Sequence, residues 1–454
     1  MMPLLLSVLS SDQGKIASAA ATKRPAVAPS LGSARAILLA LLAFFSMWFY
    51  TERVLIPHQL TSAASEGRPR GNLSDLYPRW LGARELLLHG RDPYTREITR
   101  EIQIGYYGRP LDPARPHDPK DQAGFAYPVY VSFLLAPTLR LDFQVLRRAF
   151  TWVLTALLLA SVPLWLKFLD WHVSRSGLLI AGFLLLGSFG AVQGLKLQQL
   201  TLLVAAMLAA VVAAVAAGWL TLAGILLALA TIKPQLSLVL AGWLILWALS
   251  DWRKRWPLLI SFGIVMASLL VGAELVLHGW MSKFLVALRA YTQYTNAESV
   301  LTSTLGMVVG LLITAILLLL LARVAGRFRR HPADSPEFAL TTVLVLGVTM
   351  VIIPSISGYN QVMLLPAILL LVKDWRLIFR MGPAARFLYL VVAAMVIWPW
   401  LAAVVLSLLV IGGHPQAAQN HWIIPVYTTI MIPFGIMALL GFYTLGRWHL
   451  PASS

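Results

Sequence analysis

Asp75 is the first side chain whose type and position suggest chemistry. It stands in the run SDLYPRWLGARELLLHGRDPY, where leucines beside charged residues predict a short amphipathic helix at the membrane surface, ended by Gly90 and the turn-forming Asp92-Pro93. A carboxylate at a helix start is most simply an N-cap, and composition alone favours that interpretation. The alternative is a general base held at the outer mouth of a helical bundle.

Two lysines interrupt apolar runs at predicted outer helix turns. Lys196 stands with Gln198 and Gln199 in GLKLQQLTLL, and Lys233 stands with Gln235 in ATIKPQLSL. Polar groups at such depths are costly and usually face a cavity or a partner. For Lys196, snorkelling of the ammonium toward the interface explains the pattern equally well. A functional role is better supported for Lys233 than for Lys196, because the proline after it removes a backbone donor and Gln235 adds a second polar group to the same break.

A third polar cluster lies in IIPSISGYNQVMLLP, between two apolar segments with almost no loop. We expect its polar residues where helices leave the membrane on the outer face: Ser355, Ser357, Tyr359, Asn360 and Gln361. Asn and Gln can join neighbouring helices by hydrogen bonds. The alternative hypothesis is a sugar site, because hydroxyl-rich substrates need fixed amide and hydroxyl partners in a mostly apolar cleft.

The elements that must position these side chains are membrane helices. Of the 454 residues, 59% are hydrophobic and 12% are charged, and the mean hydropathy is +0.76, values that soluble domains do not reach. Helices satisfy their own backbone groups in hydrocarbon, and the alternation of a membrane β-barrel is absent from the sequence. We predict an all-α polytopic protein of about twelve transmembrane helices. The predicted spans are 36–56, 144–169, 176–193, 199–217, 219–232, 234–249, 257–277, 303–322, 338–353, 359–373, 384–410 and 422–446.

Two of these boundaries stay open. The spans on either side of Lys233 could be one broken helix, and the run 130–139 could dip into the membrane without crossing it, although an interfacial anchor is the commoner explanation.

Orientation follows from the short connections. Lys and Arg collect at alternate ones, around 167–175, 253–255, 323–330 and 373–386. Positive residues mark the cytoplasmic side. Both termini are therefore predicted to be cytoplasmic, and the candidate residues fall on the extracytoplasmic side.

The domain organisation that this implies is simple. Residues 1–35, rich in Ala, Ser and Pro, predict a disordered cytoplasmic tail without a cleaved signal peptide. A single transmembrane domain spans 36–446 and includes an extracytoplasmic loop with amphipathic helices at 57–127. A short cytoplasmic tail follows at 447–454.

Composition also excludes several functions. The formal net charge of +17 mostly reflects the topology signal, and without a contiguous basic face or a reader fold we expect no nucleic-acid partner. The absence of cysteine from the sequence excludes disulfides, thiol catalysis and Cys-ligated zinc. His278, His414 and His421 lie on outer loops without paired carboxylates at ligand spacing, so no metal site is predicted.

The order of the polar blocks resembles glycosyltransferase family 87. The blocks are the first span with its SDLYPRWLGARELLLHGRDPY loop, then FAYPVYVSFLLAP, GLKLQQLTLLVAAML, GILLALATIKPQLSLVLAGWLI and PSISGYNQVMLLPAILLL. The likeness runs from about Ala36 to Lys373, and block order carries it better than any single block. The resemblance implies the C-type glycosyltransferase architecture of integral-membrane enzymes, several of which are polyprenyl-phosphate-mannose-dependent α-mannosyltransferases.

The resemblance also implies roles for the candidate residues. A sugar, most often mannose, would leave a polyprenyl monophosphate donor as a hydroxyl of a lipid or glycan acceptor attacks C1, usually with inversion. Asp75 matches the position of the base, and Asp92 is the second carboxylate candidate. Lys233, Lys196 or an outer-loop Arg would neutralise the phosphate. The remaining candidates would bind sugar or acceptor: Tyr77, Gln198, Gln199, Gln235, Tyr359, Asn360 and Gln361.

One departure from the family pattern bears on the identity of the sugar more than on the class of reaction. Some members carry an aromatic, acidic and His cluster where this chain has Gly358 to Gln361, so no acid or base is carried over to that segment. No cofactor is implied. The protein is expected in the cell membrane as a multi-pass protein, of bacterial inner-membrane type, with its active site facing outward.

A transporter or lipid flippase is the alternative function, since a bundle of this size allows it. A transporter should show related halves and a site near the bilayer midplane. The sequence shows no internal repeat and its polar candidates gather at one face, which favours the enzyme. An enzyme-like fold without activity is a third possibility.

Overall fold

The computed structural model describes residues 31–67, 74–295, 297–354 and 357–449. Within these ranges the chain forms helices joined by turns, without a strand, as the all-α prediction requires. Most of the predicted disordered tail, the last residues of the C-terminal tail, and Ser355 lie outside the described residues.

The first helix is longer than the predicted span. Helix α1 (Leu31–Tyr50) continues through a π-helical turn, Thr51–Leu55, into α2 (Ile56–Ser65). The sequence boundary at residue 56 marks where the apolar run stops, but a helix pairs its backbone internally and needs no apolar surroundings to continue. It ends only before Gly67, whose φ of 60° breaks the helical path.

Two helices form the loop that follows. Helix α3 (Leu76–His89) ends at Gly90, with φ 66°, as predicted, and α4 (Arg96–Tyr107) ends at Gly108, with φ 82°. Buried residues occur on every side of α3, so the rest of the protein surrounds this helix. The amphipathic pattern had predicted burial of one face only. At Gly82 a Cβ atom would fall 2.3 Å from the ring of Phe125, an approach that only glycine permits.

The bundle beyond the loop contains eighteen further helices within the described ranges. They are α5 (Val131–Leu135), α6 (Phe143–Phe168), α7 (Arg175–Leu186), α8 (Phe189–Lys196), α9 (Leu200–Ala216), α10 (Leu220–Ala230), α11 (Pro234–Leu249), α12 (Trp252–Val276), α13 (Trp280–Tyr294), α14 (Val300–Leu305), α15 (Met307–Phe328), α16 (Pro336–Ile352), α17 (Leu365–Lys373), α18 (Trp375–Arg380), α19 (Pro383–Ile411), α20 (Pro415–Asn420), α21 (Ile423–Thr429) and α22 (Ile432–His449). A 3₁₀ helix, Gly358–Leu364, leads into α17.

Every predicted span falls on a helix, but fewer helices are long enough to cross a membrane. In the described part of the chain 6 helices, or up to 7 if α7 and α8 form one bent span, have the required length and composition. The others are shorter: α10, with 11 residues, extends only about 16 Å at 1.5 Å per residue. The figure of twelve crossings therefore stays a prediction. Helix α5, with 5 residues, is too short to cross.

The short helices lie at the centre and long ones lie outside. Helices α9 and α16 bury most of their residues, whereas only 11% of the apolar window of α12 and of α15 is buried. Broken helices are tolerated at membrane depth where protein or a cavity surrounds their ends. The ends of α8, α9 and α11, enclosed in this way, carry the polar residues of the candidate site.

Candidate active site

Asp75 stands at the cap position of α3, but its side chain does not cap the helix. Its Oδ2 accepts a hydrogen bond from Nε2 of Gln199, and its Oδ1 accepts one from the Tyr106 hydroxyl at 3.3 Å. The backbone N–H of Asp75 donates to the carbonyl of Leu197 at 2.9 Å. The loop is thereby tied to the turn between α8 and α9, and the carboxylate points away from its own helix.

Lys233 lies in the break between α10 and α11 and is buried. Its Nζ donates to Oε1 of Gln199 at 3.1 Å and to Oγ1 of Thr201 at 2.6 Å. The Thr201 hydroxyl in turn donates to Oδ1 of Asn360 at 3.1 Å. The N-terminal ends of α3, α9 and α11 and the 3₁₀ helix thus meet in one polar network.

Gln199 is the centre of that network. An amide has a donor end and an acceptor end. The NH₂ group of Gln199 donates to Asp75 and its carbonyl accepts from Lys233. The opposite amide orientation would place NH₂ hydrogens against the ammonium, so the two partners fix the orientation. One side chain therefore holds a carboxylate and an ammonium in a set relation without direct contact.

The Tyr359 ring closes one side of the network. The Lys233 Nζ lies 5.3 Å from the ring centroid, within cation–π range. The backbone N–H of Tyr359 donates to Oε1 of Gln193 at 3.0 Å, which fixes the 3₁₀ helix to α8. The two segments approach so closely that a Cβ on Gly190 would lie 2.6 Å from the carbonyl oxygen of Gly358.

Arg79 is a cation at the site that the sequence did not single out. Its Nη1 donates to the backbone carbonyl of Asp75 at 2.6 Å, and its guanidinium lies 4.7 Å from the ring centroid of Tyr127. Its position four residues after Asp75 was the available signal, because that spacing places the Arg79 side chain one helical turn from residue 75. The site thus has two cations near one carboxylate.

Lys196, a predicted phosphate ligand, lies elsewhere. Its ammonium forms an ion pair with Glu52 in the π-helical turn and stands 5.1 Å from the ring centroid of Trp48. The Lys196 side chain therefore makes its contacts with the first helix. The ammonium thus has a specific carboxylate partner, and the snorkelling interpretation stays a prediction.

Two predicted residues, on α3 and in the turn after it, have packing and turn contacts. Tyr77 packs edge-on against Phe143, with ring centroids 4.8 Å apart. Asp92 accepts a bond from the backbone N–H of Tyr94 at 2.9 Å and pairs with Nζ of Lys283 at 2.8 Å. These contacts fit the turn interpretation of Asp92 and keep both residues out of the Asp75 network.

Three predicted glutamines also lie outside it. Gln198, with a left-handed backbone φ of 49°, donates from Nε2 to Oγ1 of Thr151 at 3.1 Å. Gln361 donates to the carbonyl of Thr429 at 2.6 Å and so joins two helical segments. Gln235 is exposed on the first turn of α11. Of the predicted amide residues, Gln199 and Asn360 are the two in the network.

Histidines and carboxylates do not gather around a metal site in the described residues: no group of three or more His, Cys, Asp or Glu is placed to hold an ion. His278 pairs with Glu274 at 2.8 Å, and Nδ1 of His421 lies 2.9 Å from the carbonyl of Ala417. Both histidines thus make local contacts within their own segments.

An apolar cavity of about 240 Å³ lies beside the 3₁₀ helix. Helices α7, α17, α19 and α22 supply its walls, which consist mainly of Leu, Ile, Val and Ala side chains. Its lining also includes Gly190 and Gln361. Gln361 follows Asn360 in the chain, so the cavity reaches the segment that completes the polar network.

The central half of the chain matches a known protein family. Residues 125–354 match the family model of glycosyltransferase family 87. The chain belongs to this family. No curated protein and no solved structure matches it. The match is shorter than the stretch from Ala36 to Lys373 over which sequence blocks resemble family 87.

Membership of family 87 indicates a membrane glycosyltransferase. The segment that matches family 87 contains Gln199, Thr201 and Lys233, whereas Asp75 and Asn360 lie on either side of it. The family 87 segment therefore supplies Lys233 with Gln199 and Thr201, and the flanking regions supply Asp75, Arg79 and Asn360.

Proposed function

We propose that the protein transfers a sugar, mannose being the family's commonest choice, from a polyprenyl-phosphate donor to a hydroxyl of a lipid or glycan acceptor, with inversion. One observation carries this proposal. The carboxylate of Asp75 and the ammonium of Lys233 are held by the same Gln199 amide, in a network enclosed by helix ends. A base and an anion-binding cation in fixed relation are what displacement of a sugar from a phosphate requires.

Asp75 takes the proton of the acceptor hydroxyl. The hydroxyl oxygen then forms a bond to C1 of the sugar while the bond from C1 to the phosphate oxygen breaks. The electron pair of that bond stays with the polyprenyl phosphate, and the proton remains on Asp75 until it is released to water. Attack opposite the leaving group inverts C1.

Lys233 and Arg79 stabilise the charge that develops on the leaving phosphate. An ammonium has three N–H donors, and two of those on Lys233 bond to Gln199 and Thr201. Among the described residues the third N–H of Lys233 has no hydrogen-bond partner. It can therefore donate to an anionic oxygen of the leaving phosphate. A cation in an enclosed site acts more strongly on a developing charge than one in water.

The apolar cavity beside the 3₁₀ helix would hold isoprenoid units of the donor. Its wall is almost wholly hydrocarbon, and it reaches the segment that carries Tyr359 and Asn360. A polyprenyl chain placed there would bring its phosphate toward Lys233. The distribution of Lys and Arg between the connections supports an extracytoplasmic site.

The direct test is transfer by the purified protein in lipid nanodiscs. Radiolabelled polyprenyl-phosphate mannose is supplied with a lipid and glycan extract, and wild type is compared with Asp75→Asn. Removal of the base should lower transfer by about 10²-fold or more. Asp92→Asn is the matched control, because Asp92 is an outer-loop carboxylate already paired with Lys283.

Transfer by wild type and Asp92→Asn, with loss in Asp75→Asn, supports both the reaction and the base. Equal transfer by all three proteins removes Asp75 from the mechanism. Movement of labelled lipid between the leaflets of sealed proteoliposomes, without any transfer, would favour the transporter alternative instead.

A further inference from the structure

The first helix packs against α8, the helix that leads into the candidate site. Its Val54 belongs to one buried apolar cluster with Phe189 and Val192 of α8. Lys196 follows Val192 by four residues and so lies one turn further along the same face of α8. The contact between the two helices is therefore apolar near the start of α8 and charged at its end.

Two side chains of the first helix contact the Lys196 ammonium. Glu52 forms an ion pair with it, and the ring centroid of Trp48 lies 5.1 Å from Nζ. Trp48 and Glu52 are four residues apart, so they are neighbours on the helix surface. Nε1 of Trp48 also donates to the carbonyl of Leu186 at 3.1 Å, which ties the same part of the first helix to the end of α7. The ammonium thus has one charged and one aromatic partner on the first helix.

The π-helical turn affects the direction of the Glu52 side chain. In Thr51–Leu55 the backbone N–H of Ile56 donates to the carbonyl of Thr51, five residues back, so the turn holds one residue more than an α-helical turn. One residue corresponds to about 100° of rotation in an α-helix. The extra residue therefore rotates the part of the helix before the turn relative to the part after it, and Glu52 lies inside the turn. Single π-helical turns within α-helices are frequent at functional sites.

The end of α8 carries two contacts of the candidate site. The carbonyl of Leu197 accepts from the backbone N–H of Asp75 at 2.9 Å. The Gln199 amide bonds to both Asp75 and Lys233. The backbone N–H of Gln199 donates to the carbonyl of Gly194, inside α8, at 2.9 Å. A shift of the α8 end therefore moves both contacts together.

Lys196 comes directly before these contacts in the chain. It is the last residue of α8, and Leu197 follows it as the cap residue. The ion pair with Glu52 therefore fixes the chain next to the carbonyl that binds Asp75. Glu52 lies outside the segment that matches family 87, whereas Lys196 lies inside it. The pair thus connects the N-terminal part of the chain to that segment at the edge of the network.

We propose that Glu52 is a positioning residue for the reaction: through its ion pair with Lys196 it holds the end of α8, so that Leu197 and Gln199 keep Asp75 in place. The inference rests on the proposed function and adds a residue outside the network on which the geometry of the base depends. Among the described residues Glu52 forms no hydrogen bond to the network, so its loss acts through Lys196.

Charge reversal tests the pair. Glu52→Lys and Lys196→Glu each bring two like charges together, and the double variant restores an opposite pair in reversed order. We expect kcat for transfer to fall by about tenfold in each single variant and to recover to within about threefold of wild type in the double variant. Donor KM should stay constant, because Lys233 is not displaced. Glu52→Gln removes the charge and keeps the shape, and it should lower kcat in the same direction by a smaller factor.

Amide hydrogen exchange measures the positioning without turnover. The backbone N–H groups of Asp75 and Gln199 both donate to carbonyls at the end of α8. Their protection factors should fall in the single variants and recover in the double variant, while protection in α16 stays as in wild type. Arg53→Glu is the matched control, because Arg53 is exposed in the same turn and forms no ion pair among the described residues. It should keep the kcat and the protection of wild type.

A double variant that recovers neither kcat nor protection overturns the inference, and so do single variants that equal wild type in both. Loss of protection throughout α16 in the single variants also overturns it, because that would show general unfolding in place of local positioning. The proposed function fails separately. If wild type transfers no sugar while protection of Asp75 still follows the charge pairing, the reaction is wrong and the positioning contact stands.

Discussion

The carboxylate of Asp75 and the ammonium of Lys233 share a single bridging amide. Gln199 donates to the first and accepts from the second, so the two charges are coupled in position although they belong to chain segments far apart. A direct ion pair would satisfy both charges with each other. The bridge instead leaves the base and the cation each free to meet a different part of a substrate.

Gln199→Leu should therefore damage catalysis more than folding. The substitution leaves Asp75 with Tyr106 and Lys233 with Thr201, and each loses one charged hydrogen bond of about 1.5–3 kcal/mol. We expect kcat to fall by about 10- to 100-fold, at 1.36 kcal/mol per factor of ten. Transfer kinetics with donor and acceptor varied in turn measure this kcat. An unchanged kcat would show that the Gln199 amide has no part in the reaction. Gln198→Leu is the control, since that neighbour bonds to Thr151 instead.

Lys233→Met should weaken donor use far more than Lys196→Met does. Lys233 faces the network, whereas Lys196 is paired with Glu52. Loss of a charge-stabilising donor typically lowers kcat by about 10²- to 10³-fold. Arginine should not restore Lys233, because its planar fork does not fit partners placed for a compact ammonium. Equal losses in the two methionine variants would contradict the different roles assigned to these lysines.

Gly190→Ala should separate the 3₁₀ helix from α8. The added Cβ would stand 2.6 Å from the carbonyl oxygen of Gly358, a backbone atom that cannot move alone. Overpacking of this kind costs about 1–3 kcal/mol. Gly242→Ala is matched to it, because a Cβ on Gly242 in α11 meets no atom within 4 Å. Thermal unfolding in detergent should show a lower midpoint for the first variant, and similar midpoints would mean that the close approach is not required.

The Arg109–Asp118 pair should stabilise the folded conformation of the segment after α4 down to low pH. Hydrogen bonds from the Arg109 side chain and from the backbone N–H of Asp112 lower the pKa of Asp118 to about 2. A depressed pKa stabilises the folded loop above the ordinary carboxyl pKa, and that stabilisation is lost as pH falls toward 2.

Amide hydrogen-exchange protection factors for residues 109–122 measure this. They should stay constant from neutral pH to about pH 4, near the ordinary Asp pKa, and fall below it. Asp118→Asn should reduce protection already at neutral pH, whereas Asp112→Asn should not. Protection in Asp118→Asn that equals wild type would show that the pair does not hold the loop.

The sequence predicted the elements better than the directions of side chains. The apolar runs located the helices, and Gly90 located the end of α3, because both signals act over a few residues. The same local logic favoured Asp75 as a cap. It does occupy the cap position, but its partner is Gln199, 124 positions along the chain, and no local pattern reports such a contact.

Lys196 and Lys233 illustrate the same limit. Each interrupts an apolar run beside glutamines, so pattern alone gives them similar roles. The π-helical turn in the first helix places Glu52 against Lys196, and Lys233 is left for the network.

The network draws on chain positions 75, 199–201, 233 and 360, and this sets when it can exist during synthesis. A ribosome feeding the chain into the membrane releases Asp75 early and Asn360 only after most of the bundle has been inserted. Until then the Asp75 carboxylate and the Lys233 ammonium have incomplete surroundings. The site is therefore a late product of biogenesis, and a nascent chain stalled after Lys233 but before Asn360 would hold this cation without the final amide.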